Sequence, residues 1–174
     1  MRLFIAVDVP EELRKRAGEL QKELPDEGIK KVALPRMHFT LKFLGEANEK
    51  NLGKITEALG GVEFSPFRVK LKGVGVFPSE EYIRVIWVGA ESAGMEKLAD
   101  GVNDALERLF PKTEFAPHLT IARVKKRADV REFLKEHGGE VLGEYSAKEF
   151  FLVQSVLGPG GPKYLPVAKF EATG

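Results

Sequence analysis

The run His38-Phe39-Thr40-Leu41 returns later in the chain as His118-Leu119-Thr120-Ile121. Two of the three histidines are spent on this repeat. With five threonines among 174 residues, a given histidine meets a threonine two positions on about 3% of the time, so a double hit is too rare to be accidental. In an extended strand successive side chains point to opposite faces. His and Thr therefore stand together on one face, while Phe39 and Leu41, or Leu119 and Ile121, point into a core. Each copy predicts a strand with a wet face and a dry one, and two such strands brought together across a cleft offer paired imidazoles flanked by paired hydroxyls.

The segments around the repeat supply the rest of a fold. Leu3 to Val9 reads as a strand, and Pro10-Glu11-Glu12 makes a good first helical turn, with proline early and acids near the positive end of the dipole. Leu13, Ala17, Leu20 and Leu24 give that helix its apolar stripe before residues 25–28 break it. Asn48 predicts an N-cap for a helix to about Leu59, closed by Gly60-Gly61. Strands are expected over Phe67–Val76 and Tyr82–Val88, with 73–78 as a bend or bulge between them. From Ser92 to about Phe110 runs the longest helical pattern, with Met95, Leu98, Val102, Ala105, Leu106 and Leu109 on one side. Pro117 opens the second motif strand without needing an amide there. Residues 129–136 predict a short helix, with His137 as a cap that complements the dipole at its end. Glu144 to Leu157 reads as one long strand, and with the final run from Tyr164 to Phe170 it predicts a C-terminal hairpin across 158–162. Each half thus carries a strand-helix unit, a His-x-Thr strand and further antiparallel strands. This order predicts two similar α+β lobes with antiparallel-type sheets and flanking helices, related by an internal pseudo-twofold.

Composition narrows the chemistry. Apolar residues are 43% and charged residues 30%, with 27 Lys+Arg against 26 Asp+Glu, so any nucleic-acid contact must come from a local patch. Two patches are candidates: Lys30, Lys31 and Arg36 just upstream of His38, and Lys125-Lys126-Arg127. The absence of cysteine excludes a disulfide framework, a thiolate zinc site and a cysteine nucleophile together, and a reducing cytoplasm is the expected compartment. The apolar core of residues 1–8 is too short for a signal peptide or a membrane span, and no membrane partner is expected. Scarce amides beside abundant Lys and Glu form a bias associated with hyperthermophile proteins.

Two histidines without metal-binding companions suit general acid–base catalysis, since an imidazole titrates near neutrality. No HExxH or His-x-His spacing supports a zinc site. Threonine hydroxyls can donate to anionic oxygens, and Arg123 supplies a forked cation of the kind phosphate favours. On a regular strand Arg123 would face away from His118, so its role requires a strand end, a bulge or a long reach. Phe39, between His38 and Thr40, is expected in the core. His38, His118, Thr40, Thr120 and Arg123 are the candidate site.

His38-Phe39-Thr40-Leu41-Lys42-Phe43-Leu44-Gly45, taken with Pro117-His118-Leu119-Thr120-Ile121-Ala122-Arg123, resembles the motif pair of the 2H phosphoesterase superfamily. The match is close to its RNA 2′,3′-cyclic phosphodiesterase branch, historically called 2′-5′ RNA ligase. The opening residues 2–7 and the late Ser155-Val156-Leu157 and Gly161-Pro162-Lys163-Tyr164 are similar to that branch too. The resemblance implies one bilobal domain over 1–174 with its active cleft between the lobes. It further implies metal-independent and cofactor-free hydrolysis of a 2′,3′-cyclic phosphate to a 2′-phosphate, with weak, reversible 2′-5′ joining of RNA ends. His38 and His118 would share the acid and base roles, His38 leaning to acid and His118 to base. Thr40 and Thr120 would hold the phosphate, and Arg123 would help bind it or a neighbour. The partners implied are RNA with 2′,3′-cyclic phosphate ends or nucleoside cyclic phosphates, and a monomer is expected. The alternative is a module of the same fold that binds nucleotides or RNA ends without turnover.

Overall fold

In the computed structural model, which describes residues Met1–Gly174, strand β1 (Arg2–Asp8) is buried along its whole middle. Leu3, Ile5 and Val7 enter the main core, while Phe4 and Ala6 on the opposite face pack with Val153. A strand covered on both faces needs an unbroken apolar run rather than an alternating one, which is what Leu3–Val7 supplies. It lies between β3 (His38–Glu46) and β8 (Glu149–Val156), antiparallel to both. The hairpin partner of β8 is β9 (Lys163–Glu171).

A second array is built from β4 (Phe67–Pro78), β5 (Ile83–Glu91), β6 (His118–Val124) and β7 (Val141–Ala147). The order across the whole sheet is β7-β4-β5-β6-β3-β1-β8-β9. The two arrays meet where β3 and β6 touch, through the single register pair Phe39↔Leu119. Past that point the strands diverge, and β2 (Ile29–Lys31) takes the vacated edge of β6, pairing Lys30 with Arg123. The divergence opens a cleft on one sheet face, between the arrays.

Helices cover the other face. α1 (Glu11–Gln21), which leaves β1, packs on β6 and β7 of the opposite array, and α3 (Ala93–Leu106), which leaves β5, packs on β4 and on β3 across the seam. α2 (Leu52–Gly60) lies against α3 and β9, and α4 (Arg131–His137) against β4. The units β1-α1-β3 and β5-α3-β6 therefore correspond, each helix clamping the other unit's array, and one core of 34 buried residues runs beneath both. No helix is long and apolar enough to cross a membrane.

Several expectations need correction. The stretch Glu144–Leu157 is two strands, β7 and β8, at opposite halves of the sheet, with the crossover at Lys148. Its β propensity is continuous, but its pairing partners change from β4 to β1, and propensity does not encode partners. For the same reason the lobes are not sequence halves, since the C-terminal hairpin joins the array of the N-terminal strands. Residues 73–78 lie within β4 rather than between strands: the ladder shifts register between Leu71 and Val74, and Gly73 takes φ 76° there. The helix from Ser92 stops at Leu106, and Leu109 and Phe110 turn back to bond the Leu106 carbonyl.

Candidate active site

Strands β3 and β6 bury their first seven residues in the same order: half-buried His, buried x, half-buried Thr, two buried residues in succession, one exposed, one buried. Two neighbouring residues both facing the core mark a bulge. In β3 the ladder with β1 pairs Thr40 with Ala6 but Lys42 with Ile5, so Leu41 is the extra residue. In β6 the ladder with β5 pairs Thr120 with Trp87 but Ala122 with Ile86, so the extra residue is Ile121. The bulge reverses the alternation and returns the fifth residue after each histidine to the wet face. This is how Arg123 reaches the side of His118, and on β3 the same device presents Phe43. The carbonyl of Ile121 is held by the side-chain amide of Gln21, at 2.7 Å, and by the backbone N–H of Val32, at 2.9 Å.

The histidines are oriented alike. Nδ1 of His38 lies 2.8 Å from the Arg36 carbonyl, and Nδ1 of His118 lies 2.7 Å from that of Ala116. A carbonyl can only accept, so each Nδ1 carries a proton and each Nε2 is the free functional atom. Nε2 of His38 accepts from the Thr40 hydroxyl at 2.9 Å. Each histidine and its threonine flank the one β3–β6 register pair, Phe39↔Leu119, on their own strand, and all four line one cavity. The same order on two antiparallel strands gives the four groups an approximate twofold relation.

The second neighbours break that symmetry. His38 stacks on Phe4 at 4.9 Å and meets the edge of Tyr164 at 5.3 Å. Burial among them pushes its pKa down to about 4, against the opposing pull of the Arg36 carbonyl, and the positive charges of Arg14 and Arg123 and neighbouring His118 push the same way as burial. His118 instead meets the edge of Phe77 at 4.9 Å, with Trp87 at 6.5 Å.

His38, Thr40, His118, Thr120 and Arg123 all line one cavity of about 740 Å³. Arg2, Lys30, Lys31 and Arg36 line it too, and no aspartate or glutamate does. Of these cations only Lys31 has an ion-pair partner, Asp26 at 3.0 Å. A nearly neutral chain has thus gathered unpaired positive charge around two imidazoles, and the lining offers neither carboxylate nor thiolate to complete a metal site. Of the two candidate basic runs, Lys30, Lys31 and Arg36 belong to the cavity and Lys125-Lys126-Arg127 does not. Arg2, Phe4, Phe43 and Tyr164 also line the cavity, and motif reading did not single them out. The parity break between Thr40 and Phe43 was the signal for Phe43, but a bulge has no sequence mark of its own.

Phe39 is fully buried, as expected. His137 ends α4 as a basic residue of its last turn, as expected, but it is also 6% exposed and bonded to Glu23 at 3.1 Å and Glu140 at 3.2 Å. Burial works to lower its pKa, but the hydrogen bonds and charges of those carboxylates outweigh it and the net direction is up. Glu23, Glu136 and His137 lie close enough to face a common cation, but away from the cleft.

A family described as LigT-like phosphoesterase matches residues 3–87. The RNA 2′,3′-cyclic phosphodiesterase of Archaeoglobus fulgidus is 39% identical, over 98% of this chain and 100% of that protein. That of Methanocaldococcus jannaschii is 37% identical, over 94% and 96%. Among solved structures, a protein of Thermus thermophilus superposes with a TM-score of 0.86 at 37% identity, covering 100% of this chain and 99% of that one. Escherichia coli LigT complexed with 3′-AMP superposes at 0.84 with 26% identity, covering 99% and 98%. The paired His-x-Thr strands, the shared bulges and these likenesses along the full length lead to one conclusion: the chain belongs to the LigT-like phosphoesterases, the 2H family that includes the RNA 2′,3′-cyclic phosphodiesterases.

Proposed function

We propose that this protein hydrolyses 2′,3′-cyclic phosphate ends of RNA, and nucleoside 2′,3′-cyclic phosphates, to 2′-phosphates, with His38 and His118 as acid and base and no metal. One observation carries the reading: both imidazoles, each with its Nδ1 held by a backbone carbonyl, line one cationic, acid-free cleft together with Thr40 and Thr120. Water attacks phosphorus as the neutral His118 takes its proton on Nε2; the P–O3′ bond breaks, and O3′ receives the Nε2 proton of His38, which enters the step as the imidazolium. The 2′-ester bond remains. Thr40 and Thr120 donate to the non-bridging oxygens, and Arg123 compensates their charge. Run with a 5′-hydroxyl in place of water, the same step joins RNA ends through a 2′-5′ linkage, weakly and reversibly. The unit of activity in this reading is the whole bilobal domain, 1–174, acting as a monomer; residues of both arrays lining one cavity support the single-domain part of it.

The low pKa of His38 favours a second assignment of the same pair. An imidazole held neutral in the free protein is ready to accept a proton, which suits His38 as base and His118 as acid. A substrate with sulfur replacing O3′ distinguishes the two, because a thiolate leaves without protonation: the histidine variant whose activity it restores lacks the acid.

The primary test is incubation with nucleoside 2′,3′-cyclic phosphate and with short RNA bearing that end, in the presence of EDTA, followed by identification of the product isomer. Clean 2′-phosphate, lost in His38→Ala and in His118→Ala, is expected. Absence of turnover by the unaltered protein would replace hydrolysis with the binding-module reading.

A further inference from the structure

An in-line displacement needs its two imidazoles on opposite sides of one phosphorus, so the relation between β3 and β6 matters as much as either strand. The sheet fixes that relation through a single register pair, Phe39↔Leu119. Two buried carboxamides add to it. Gln21 is the last of the eleven residues of α1, and Asn103 holds the eleventh position of α3, the corresponding helix of the other unit. They are 8% and 7% exposed, and amides so deep in a core must be hydrogen-bonded.

Each amide does the same two things. It holds the segment that leads into the motif strand of its own unit, and it grips the motif strand of the other unit at the bulge. Gln21 Nε2 donates to the Val32 carbonyl at 2.6 Å, upstream of His38, and to the carbonyl of the β6 bulge residue Ile121 at 2.7 Å. Asn103 exchanges hydrogen bonds with the backbone of Thr113, upstream of His118, through Nδ2 at 2.8 Å and Oδ1 at 3.1 Å. Its Oδ1 also accepts from Lys42 Nζ at 2.6 Å, and Lys42 follows the β3 bulge residue Leu41. The reach is divided differently in the two copies. Where β6 offers the short Ala122 the helix extends the longer Gln21, and where the helix carries the shorter Asn103 the strand extends Lys42. Such hydrogen bonds contribute little net stability once lost hydration is counted; what they fix is direction and distance.

Resting on the phosphodiesterase reading, we infer that Gln21, and Asn103 through Lys42, are positioning residues that set where His118 and His38 stand relative to each other across the seam. Neither amide lines the cleft. They act through the bulged strands: Gln21 on β6, which carries His118 and Arg123, and Asn103 on β3, which carries His38. A shift of about 1 Å between the strands takes an imidazole out of line with the bond it serves, at a cost of about 100-fold in rate.

The two ties use opposite ends of the amide, so the same isosteric change has opposite effects on them. Gln21 works by donating, and Gln21→Glu breaks its tie. Asn103 reaches Lys42 by accepting, and Asn103→Asp keeps that tie. These variants, Gln21→Leu and Asn103→Leu are compared with the unaltered protein by kcat on a nucleoside 2′,3′-cyclic phosphate, at a temperature where circular dichroism shows each folded. Ser92→Ala, which weakens α3 without touching the seam, controls for stability alone. Gln21→Glu, Gln21→Leu and Asn103→Leu are expected to lose about 100-fold in kcat, while Asn103→Asp and Ser92→Ala retain it. Where a variant does not fold, Gln21→Leu stands in for Gln21→Glu and Lys42→Met for Asn103→Leu. Unchanged kcat in the leucine variants, equal losses in Asn103→Asp and Asn103→Leu, or the same loss in Ser92→Ala overturns the inference. Kd for inorganic phosphate, titrated on the same proteins, separates this result from hydrolysis. An unaltered protein that binds phosphate without turnover refutes the phosphodiesterase reading; the ties then stand if Kd rises in the leucine variants and not in Asn103→Asp, and fall otherwise.

Discussion

The Thr40 hydroxyl donates to His38 Nε2 in the free protein, so substrate binding must redirect that proton toward a phosphate oxygen. Thr40→Val and Thr120→Val keep the shape and delete the donor, and each is expected to lower kcat about 100-fold, the usual loss for one donor to a developing anion. Single-turnover kinetics check this. The two perturbed histidines give opposite pH dependences of stability. For His38 the folded value near 4 lies below the ordinary 6.5. Between the two the unfolded chain binds a proton that the folded chain excludes, so stability falls as pH drops through that range. His137 is raised above its ordinary value by Glu23 and Glu140 once burial is overcome. Its contribution is complete below the unfolded value and is lost as pH rises through the folded one. Denaturation midpoints against pH are expected to fall less steeply between about 6.5 and 4 in His38→Gln, and to lose part of their fall above the ordinary histidine value in His137→Gln.

At the scale of elements, the bulges determine the site and the helices support them. Gln21, at the end of α1, is 8% exposed and donates to the carbonyls of Val32 and Ile121. Gln21→Leu removes both bonds and is expected to destabilise the fold by about 1–3 kcal/mol, the cost of losing the donor to the Val32 carbonyl and one of the two donors to the Ile121 carbonyl. It should also weaken phosphate binding through Arg123, and Kd for inorganic phosphate alongside urea denaturation reads both. Ser92 caps α3 by accepting from the Met95 N–H at 3.1 Å while donating to the Arg68 carbonyl at 2.6 Å. Ser92→Ala is expected to cost about 1–2 kcal/mol in the same assay. Helix starts were legible because Pro10, Ser92 and Asn48, which caps the 3-10 turn Glu49–Asn51 leading into α2, mark them locally, whereas the end of α3 at Leu106 was not. The division of 144–157 into β7 and β8 was not, since each strand satisfies the same pattern and only the partner differs.

For the whole molecule, the interlocked arrangement makes the cleft depend on long-range contacts. Lys42 is 3% exposed and donates to Asn103 Oδ1 and the Pro111 carbonyl, both at 2.6 Å, and to the Thr113 hydroxyl at 3.2 Å. It ties the strand of His38 to the loop that delivers His118, and burial lowers its pKa. Lys42→Met strands these acceptors and is expected to destabilise by about 2–4 kcal/mol in urea denaturation. Cation placement gives a further expectation. Lys30→Glu, within the cavity lining, should reduce the salt slope of oligonucleotide binding by about 0.7 per lost phosphate contact. Lys125→Glu, outside that lining, should leave the slope unchanged.

The sequence by itself determined which residues repeat and which faces they share, because the period of a strand places His beside Thr and sends Phe39 and Leu119 inward. It also determined the α+β class, through apolar periodicities that change between strands and helices. Only the tertiary structure decided that the motif strands touch at one register pair, that the C-terminal hairpin completes the first array, and that Arg123 and Phe43 reach the cleft. Pairing partners and bulges follow from the packing of segments distant in sequence, so no local pattern records them.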